Sequence, residues 1–254
     1  MLGKLLIVDS QKQFKQGLEL TNKVLSKRPD AQLTLLKAYF YSRLGQSKPA
    51  WEIINNVSEE VKSLPFVRGV IARLHLIDKA PEQAVEHAKA AYDATSNSDN
   101  ALLLVAALEM SGKKEQAFSF LQKHVNTHNN DVQSAMLLAE RQIGKDRAAA
   151  IDTYELILTK TPDNFVVLNN LAYLAFEDKK LKRAEELAKK AVSLQRENAD
   201  AVDTLAQIYI AKGQKTEALK LYEQISTAPI VNDEVYLNHV ALLLELDKKA
   251  LAQR

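Results

Sequence analysis

His124 and His128 stand four residues apart, a spacing that puts two imidazoles on one face of a helix. Two nitrogens so placed begin a zinc site, which needs three or four ligands. No third histidine or acidic neighbour completes a set, so the pair reads as the polar end of a helix, where the dipole also favours histidine. Lys179, Lys180, Lys182, Arg183, Lys189 and Lys190 form a second group. Nucleic acid would want such charges unopposed and accompanied by stacking aromatics. Glu185 and Glu186 precede Lys189 and Lys190 by four residues, the favourable order for ion pairs on a solvated helix. The sequence contains no Gly-rich phosphate loop, no Ser-His-Asp arrangement and no HExxH. Acidic residues are dispersed along helix surfaces, and nothing argues for an enzyme, a metal or a cofactor.

The elements that must carry these residues are helical. Seven glycines and six prolines in 254 residues argue against a loop-rich β fold. A net charge of +2 supplies no drive toward nucleic acid or an anionic membrane. The absence of cysteine excludes disulfides, thiolate metal sites and a thiol nucleophile. Leu5-Leu6-Ile7-Val8 is too short for a signal-peptide core or a membrane span. It reads as the remnant of a first helix, followed by a second from Gln13 to Lys27.

From Asn164 to Ile225 one helix pair is written twice. Leu168, Leu171, Ala172 and Ala175 line one helix face, and Ala184, Leu187, Ala188 and Ala191 line the next. Leu171-Ala172 recurs as Leu205-Ala206 and Ala184 as Ala218, each at an offset of 34 residues. That period, with two amphipathic segments in it, predicts an all-α solenoid of stacked pairs. The units fall at about 31–64, 65–97, 98–130, 131–163, 164–197 and 198–231, after a partial unit 1–30 and before a terminal helix 232–254. Within them Gly45, Gly112, Gly144 and Gly213 mark turns, Pro49 and Pro81 start second helices, and Asp78–Pro81 is expected to be a slightly longer turn. Asn232-Asp233 can cap the terminal helix, Pro229 closes the unit before it, and Lys248–Arg254 can begin another helix.

Val202, Leu205-Ala206, Tyr209, Gly213, Ala218 and Tyr222 resemble the tetratricopeptide repeat in order. The closing proline is missing after the first copy, where Arg196 stands. The resemblance implies a right-handed α-α superhelix whose first helices line a concave groove for an extended or helical peptide. Carried over, the groove positions are Leu102, Leu103, Ala106 and Met110, then Met136 and Ile143. Asn169, Asn170, Tyr173 and Phe176 come next, then Asp203, Thr204 and Gln207. Asn169 and Asn170 are expected to point outward, with Tyr173 and Phe176 as apolar area beside them. Asn170 matches the asparagine of the family's clamp for a C-terminal carboxylate, but the neighbouring first helices offer no matching lysines.

The implied function is a non-catalytic scaffold binding another protein. Leu168-Asn169-Asn170-Leu171-Ala172, followed by Ala201-Val202-Asp203-Thr204-Leu205-Ala206, also resembles the last repeats of bacterial repeat lipoproteins associated with exosortase sorting and exopolysaccharide export. That likeness implies a bacterial envelope or periplasmic accessory, with the cytoplasm as the alternative compartment. A substrate-docking module of an enzyme is the other alternative. Val235, Tyr236, Leu237, Val240, Leu243, Leu244 and Leu246 make the terminal helix apolar on most sides, so self-association through it is expected.

Overall fold

The computed structural model describes residues 2–225 and 233–246, with side chains from residue 12 onward. The described residues form fifteen α-helices and no strand. They are α1 (Leu2–Leu25), α2 (Ala31–Arg43), α3 (Ser47–Asn55), α4 (Glu59–Ser63), α5 (Pro65–Ile77), α6 (Pro81–Ala94), α7 (Ser98–Met110) and α8 (Lys114–Thr127). Then come α9 (Val132–Ile143), α10 (Arg147–Lys160), α11 (Phe165–Glu177), α12 (Leu181–Leu194), α13 (Ala199–Ala211), α14 (Lys215–Ile225) and α15 (Asp233–Glu245). The first helices of successive pairs, α2, α5, α7, α9, α11, α13 and α15, start 33 or 34 residues apart. Two compact units divide the chain, residues 1–138 and 139–254.

Most first helices start and stop by the same chemistry, α5 being started instead by Pro65. Asp30, Asn97, Asp131, Asn164 and Asn198 each accept a hydrogen bond from the backbone N–H three residues on, tying down an otherwise unpaired helical donor. At the other end the chain reverses in three residues before the second helix begins. Gly45, Gly112 and Gly213 take φ of +72°, +78° and +77° there. In each case a 6→1 bond closes the helix, as from Gln214 N–H to the Tyr209 carbonyl at 2.8 Å. Lys79 and Lys179 occupy the same left-handed position at φ 59° and 60°. The Asp78 turn is therefore the same length as the others, not longer, because this reversal fixes three residues whatever their identity. Gly144 lies outside the positive-φ set, and Asp146 caps α10 by accepting from Ala149 N–H.

Small residues decide how closely the pairs pack. Ala50, Ala84, Ala117, Ala150, Ala184 and Ala218, one on each second helix, are all buried. In residues 1–138 one core cluster joins Ala38, Ala50, Ile54, Val67, Val70, Ile71 and Leu74. In residues 139–254 another joins Val202, Ala206, Ala218, Tyr222 and Ile225 to Val235, Leu242 and Leu243 of α15. Two local expectations are corrected. The remnant and the second helix expected at the N-terminus are a single helix, α1, which no proline or glycine pair interrupts. The stretch before Pro65 holds an additional short helix, α4, capped by Ser58. Asn232, Pro229 and Lys248–Arg254, to which a cap, a closing role and a further helix were assigned, lie outside the described residues.

Candidate protein-interaction site

The first helices each bury the side that meets their own and neighbouring pairs. α11 buries Val167, Leu168, Leu171, Ala172, Leu174 and Ala175. What remains is a strip of Asn169, Asn170, Tyr173 and Phe176. Tyr173 is 52% exposed, and the other three are half-buried. Tyr173 is therefore outside the core, as its spacing predicts.

The two amides are less free than expected. Asn170 Nδ2 donates to the hydroxyl of Tyr154 at 3.0 Å. Tyr154 is fully buried, so Asn170 supplies the partner that a buried phenol needs. Asn169 Oδ1 is turned inward and has no hydrogen-bond partner. Paired outward amides thus give way to one inter-helix strut and one inward acceptor. Pattern alone shows which side of a helix a residue takes, not where a half-buried amide turns.

The same strut recurs on α13. Tyr222 donates to Asp203 Oδ1 at 2.6 Å, Gln207 Nε2 donates to the Tyr222 oxygen at 3.2 Å, and Asn238 Nδ2 donates to Asp203 Oδ1 at 3.0 Å. Burial, followed by the Asp203 carboxylate, pushes the Tyr222 hydroxyl far above the usual phenol range. Asp203 and Gln207, expected as partner contacts, hold α13 to α14 and α15. Thr204 bonds back to the Asp200 carbonyl at 2.9 Å. Within residues 1–138, Leu103 is 4% exposed and belongs to the core, a correction to its groove assignment. α7 is apolar nearly all round, so its periodicity did not separate the two sides. Met110 at 52% exposure is open, Met136, Leu102 and Ala106 are half-buried, and Ile143 on the other unit is 40% exposed.

The histidine pair has an acidic neighbour after all. His124 is buried, its Nδ1 is 2.8 Å from the Tyr92 hydroxyl, and its Nε2 is 2.9 Å from Asp131 Oδ2. His128 stacks on it at 4.3 Å and lies 3.1 Å from Ser96 Oγ. Ser98 and Ser134 both donate to Asp131 rather than to an imidazole, so neither hydroxyl meets a base. Burial would raise the Asp131 carboxyl, but bonds from Ser134, His124 and Ser98 outweigh it and hold the group below its usual range. Among the described residues no three histidine or carboxylate side chains converge as a metal site would need. Much of the lysine-rich group is paired: Lys189 with Glu185 at 2.5 Å, Lys190 with Asp163 at 2.9 Å, Arg183 with Glu155 at 3.1 Å and Lys180 with Asp178 at 3.2 Å.

Two half-buried features escaped pattern reading. Trp51, His75, His87 and Arg68 line a cavity of about 270 Å³ beside α4. Arg43 and Arg73 meet at Asp99 on the first-helix side of residues 1–138. Both join residues from different pairs, which only stacking brings together.

Residues 175–228 match the family model described as tetratricopeptide repeat. No curated protein matches the sequence. Among solved structures, MamA from Desulfovibrio magneticus RS-1 is similar with a TM-score of 0.54 and 17% identity, over 64% of this chain and 93% of that one. YrrB, described as a TPR protein with an unusual peptide-binding site, aligns with a TM-score of 0.51 and 16% identity, over 73% of this chain and 97% of that one. A chain of the APC/C hetero-tetramer Cut9-Hcn1 aligns with a TM-score of 0.57 and 14% identity, over 94% of this chain and about half (48%) of that one. At these identities the likeness is one of fold.

Proposed function

We propose that this tetratricopeptide-repeat chain is a non-catalytic scaffold that holds a segment of another protein against the open side of its first helices. The observation that carries the reading is where large apolar side chains stay in water. Phe66, Met110, Ile143, Tyr173, Tyr236, Leu237 and Leu244 are 40–63% exposed, and all lie on first helices. Elsewhere among the described residues Leu156 and Leu194 on second helices, Leu20 and Val24 on α1, and Leu64 ahead of α5 are exposed to a similar degree. Exposed aromatics and methionine are the usual anchors of a protein interface. The peptide-binding description of YrrB, a neighbour in fold, is in keeping with that use. An accessory of an envelope machine, or the docking module of an enzyme, would use the same surface.

The test is a displayed peptide library selected on the intact chain, followed by affinity measurement. Tyr173→Ala should weaken selected peptides by ~1–2 kcal/mol, the loss typical of an anchor, with the helical signal and melting unchanged. Leu194→Ala on a second helix should leave affinity alone. Selection of no peptide, or of peptides sensitive only to second-helix changes, would refute the reading.

A second occupant is favoured at α15. Tyr236 and Leu237 are 52% and 63% exposed there, which suits association of two copies. Leu237→Lys should then reduce a concentration-dependent sedimentation coefficient. A parent chain that stays monomeric at high concentration would remove this second occupant and leave the first untouched.

A further inference from the structure

The second helix of the pair that begins with α2 is cut short. α3 runs for 9 residues, whereas α6, α8, α10 and α12 each run for 14. The chain leaves the repeat path at Asn56 and forms α4 instead. The cavity of about 270 Å³ lies among α3, α4, α5 and α6, with the buried Ile54 and Ile71 in its wall.

Three of its lining residues depart from the repeat. Arg68 stands eleven residues before the left-handed Lys79. Ala101, Leu168 and Val202 hold that place before Gly112, Lys179 and Gly213, and they are at most 2% exposed. His75 stands four residues before Lys79, where the buried Leu108 and Ala175 stand before Gly112 and Lys179. His87 follows the buried Ala84 by three residues, as the buried Leu187 follows Ala184. Nitrogen-bearing side chains thus replace apolar ones at three core positions, and all three line one cavity.

Their hydrogen-bonding capacity is largely unused. A guanidinium carries five N–H donors. That of Arg68 has two long contacts, His87 Nδ1 at 3.5 Å and a carboxylate oxygen of Glu86 at 3.8 Å, and the Glu86 side chain is 82% exposed. Because a guanidinium only donates, the Nδ1 it faces is an acceptor, and the neutral ring keeps its proton on Nε2 as a further donor. Burial holds both imidazoles below their usual range, so they are neutral at pH 7. Lys62 lines the same space, tied at 2.7 Å to Glu59, whose side chain is 87% exposed. Trp51 supplies a flat wall. Its Nε1 donates to Asp78 Oδ2 at 2.6 Å, and its ring meets His75 edge-on at 5.2 Å, which fixes the plane of the indole.

We propose that this cavity binds a phosphate monoester carried on an aromatic ring, with Arg68 and Lys62 on the phosphate and Trp51 against the ring. A guanidinium and an ammonium with an imidazole N–H beside them match the three terminal oxygens of a phosphate monoester better than the two of a carboxylate. Ile54, Ile71 and Trp51 give the apolar wall that a small-molecule site needs around a few placed polar groups. A free aryl phosphate and a phosphotyrosine of a partner present the same chemistry. The site is walled by the second helix α3 and does not depend on the open side of the first helices.

Trp51 is the chain's only tryptophan, so its fluorescence reads the site directly. Titration of the full chain with phenyl phosphate should change that fluorescence saturably. Benzoate, phenol and inorganic phosphate should each bind at least about ten-fold more weakly, for want of one of the two contacts. Arg68→Leu, which installs the residue type found at Leu168, should abolish binding with the melting temperature unchanged or raised. Lys62→Gln, on a helix with no buried residue, should weaken binding several-fold without altering the melt. A phosphotyrosyl hexapeptide that displaces phenyl phosphate would assign the ring to a polypeptide, and one that does not would assign it to a free metabolite. Absence of a saturable response to phenyl phosphate overturns the proposal. So does equal binding of benzoate or inorganic phosphate, or full binding by both variants. None of these results would touch peptide capture that depends on Tyr173.

Discussion

The Nε2 of His124 lies 2.9 Å from Oδ2 of Asp131, the same residue whose other oxygen caps α9 through the Ser134 N–H at 3.0 Å. One carboxylate thus starts a helix and holds the buried imidazole of the preceding one. Asp131→Ala should remove a cap worth ~1 kcal/mol and leave a buried nitrogen unpaired at ~1–3 kcal/mol. Asp131→Asn keeps a good cap and should cost less. Urea unfolding of both variants gives the comparison. Equal losses would mean that the imidazole contributes nothing through this bond.

The turns offer a test with opposite signs. Lys179 holds φ 60° where Gly213 holds 77°. Left-handed backbone costs a side-chain-bearing residue roughly 1–2 kcal/mol, so Lys179→Gly should stabilise by up to about 1 kcal/mol once glycine's greater unfolded-state entropy is subtracted. Gly213→Ala should destabilise. A Cβ at Gly144 meets nothing within 4 Å and its φ is not positive, so Gly144→Ala should be neutral or mildly stabilising. Thermal melts that rank these three otherwise would show that the turns are not held as described.

Acid should loosen the region around α5 and α6. Burial lowers the His75 pKa against the pull of Asp78, and burial, Arg68 and His75 lower that of His87 against Glu86. Both imidazoles therefore take protons more readily when unfolded. Their contribution is fully present above the unfolded value of about 6.5 and is lost as pH falls through the lower folded values. Urea midpoints should drop between about pH 7 and pH 5, and His87→Gln should flatten that slope. A midpoint that rises with acid over this range would show the sign to be wrong.

Neighbouring strip positions should separate cleanly. Tyr173→Ala should leave stability within about 0.5 kcal/mol, as exposed substitutions do. Asn170→Ala removes the partner of the buried Tyr154 hydroxyl and should cost about 1–3 kcal/mol. Leu103→Ala should cost roughly 2–5 kcal/mol as a core truncation. Calorimetry on the three variants would show whether Tyr173 is core after all.

The repeat itself was legible because it is written in short-range periods. The alanines of the second helices, the asparagine caps at Asn164 and Asn198, and the reversal at Gly213 each follow from spacing within about 34 residues. Backbone geometry makes those spacings binding, since a helix face and a left-handed turn leave few residue choices. The site was legible only as a side of a helix. Tyr173 came out exposed, whereas Asn170 bonds to Tyr154 and Leu103 lies in the core. Tertiary structure alone decided how Arg43 finds Asp99 across 56 residues and how Tyr92, His124 and Asp131 align. Such contacts depend on the stacking of separate pairs, and stacking is set by the packed volumes of many side chains rather than by any local pattern.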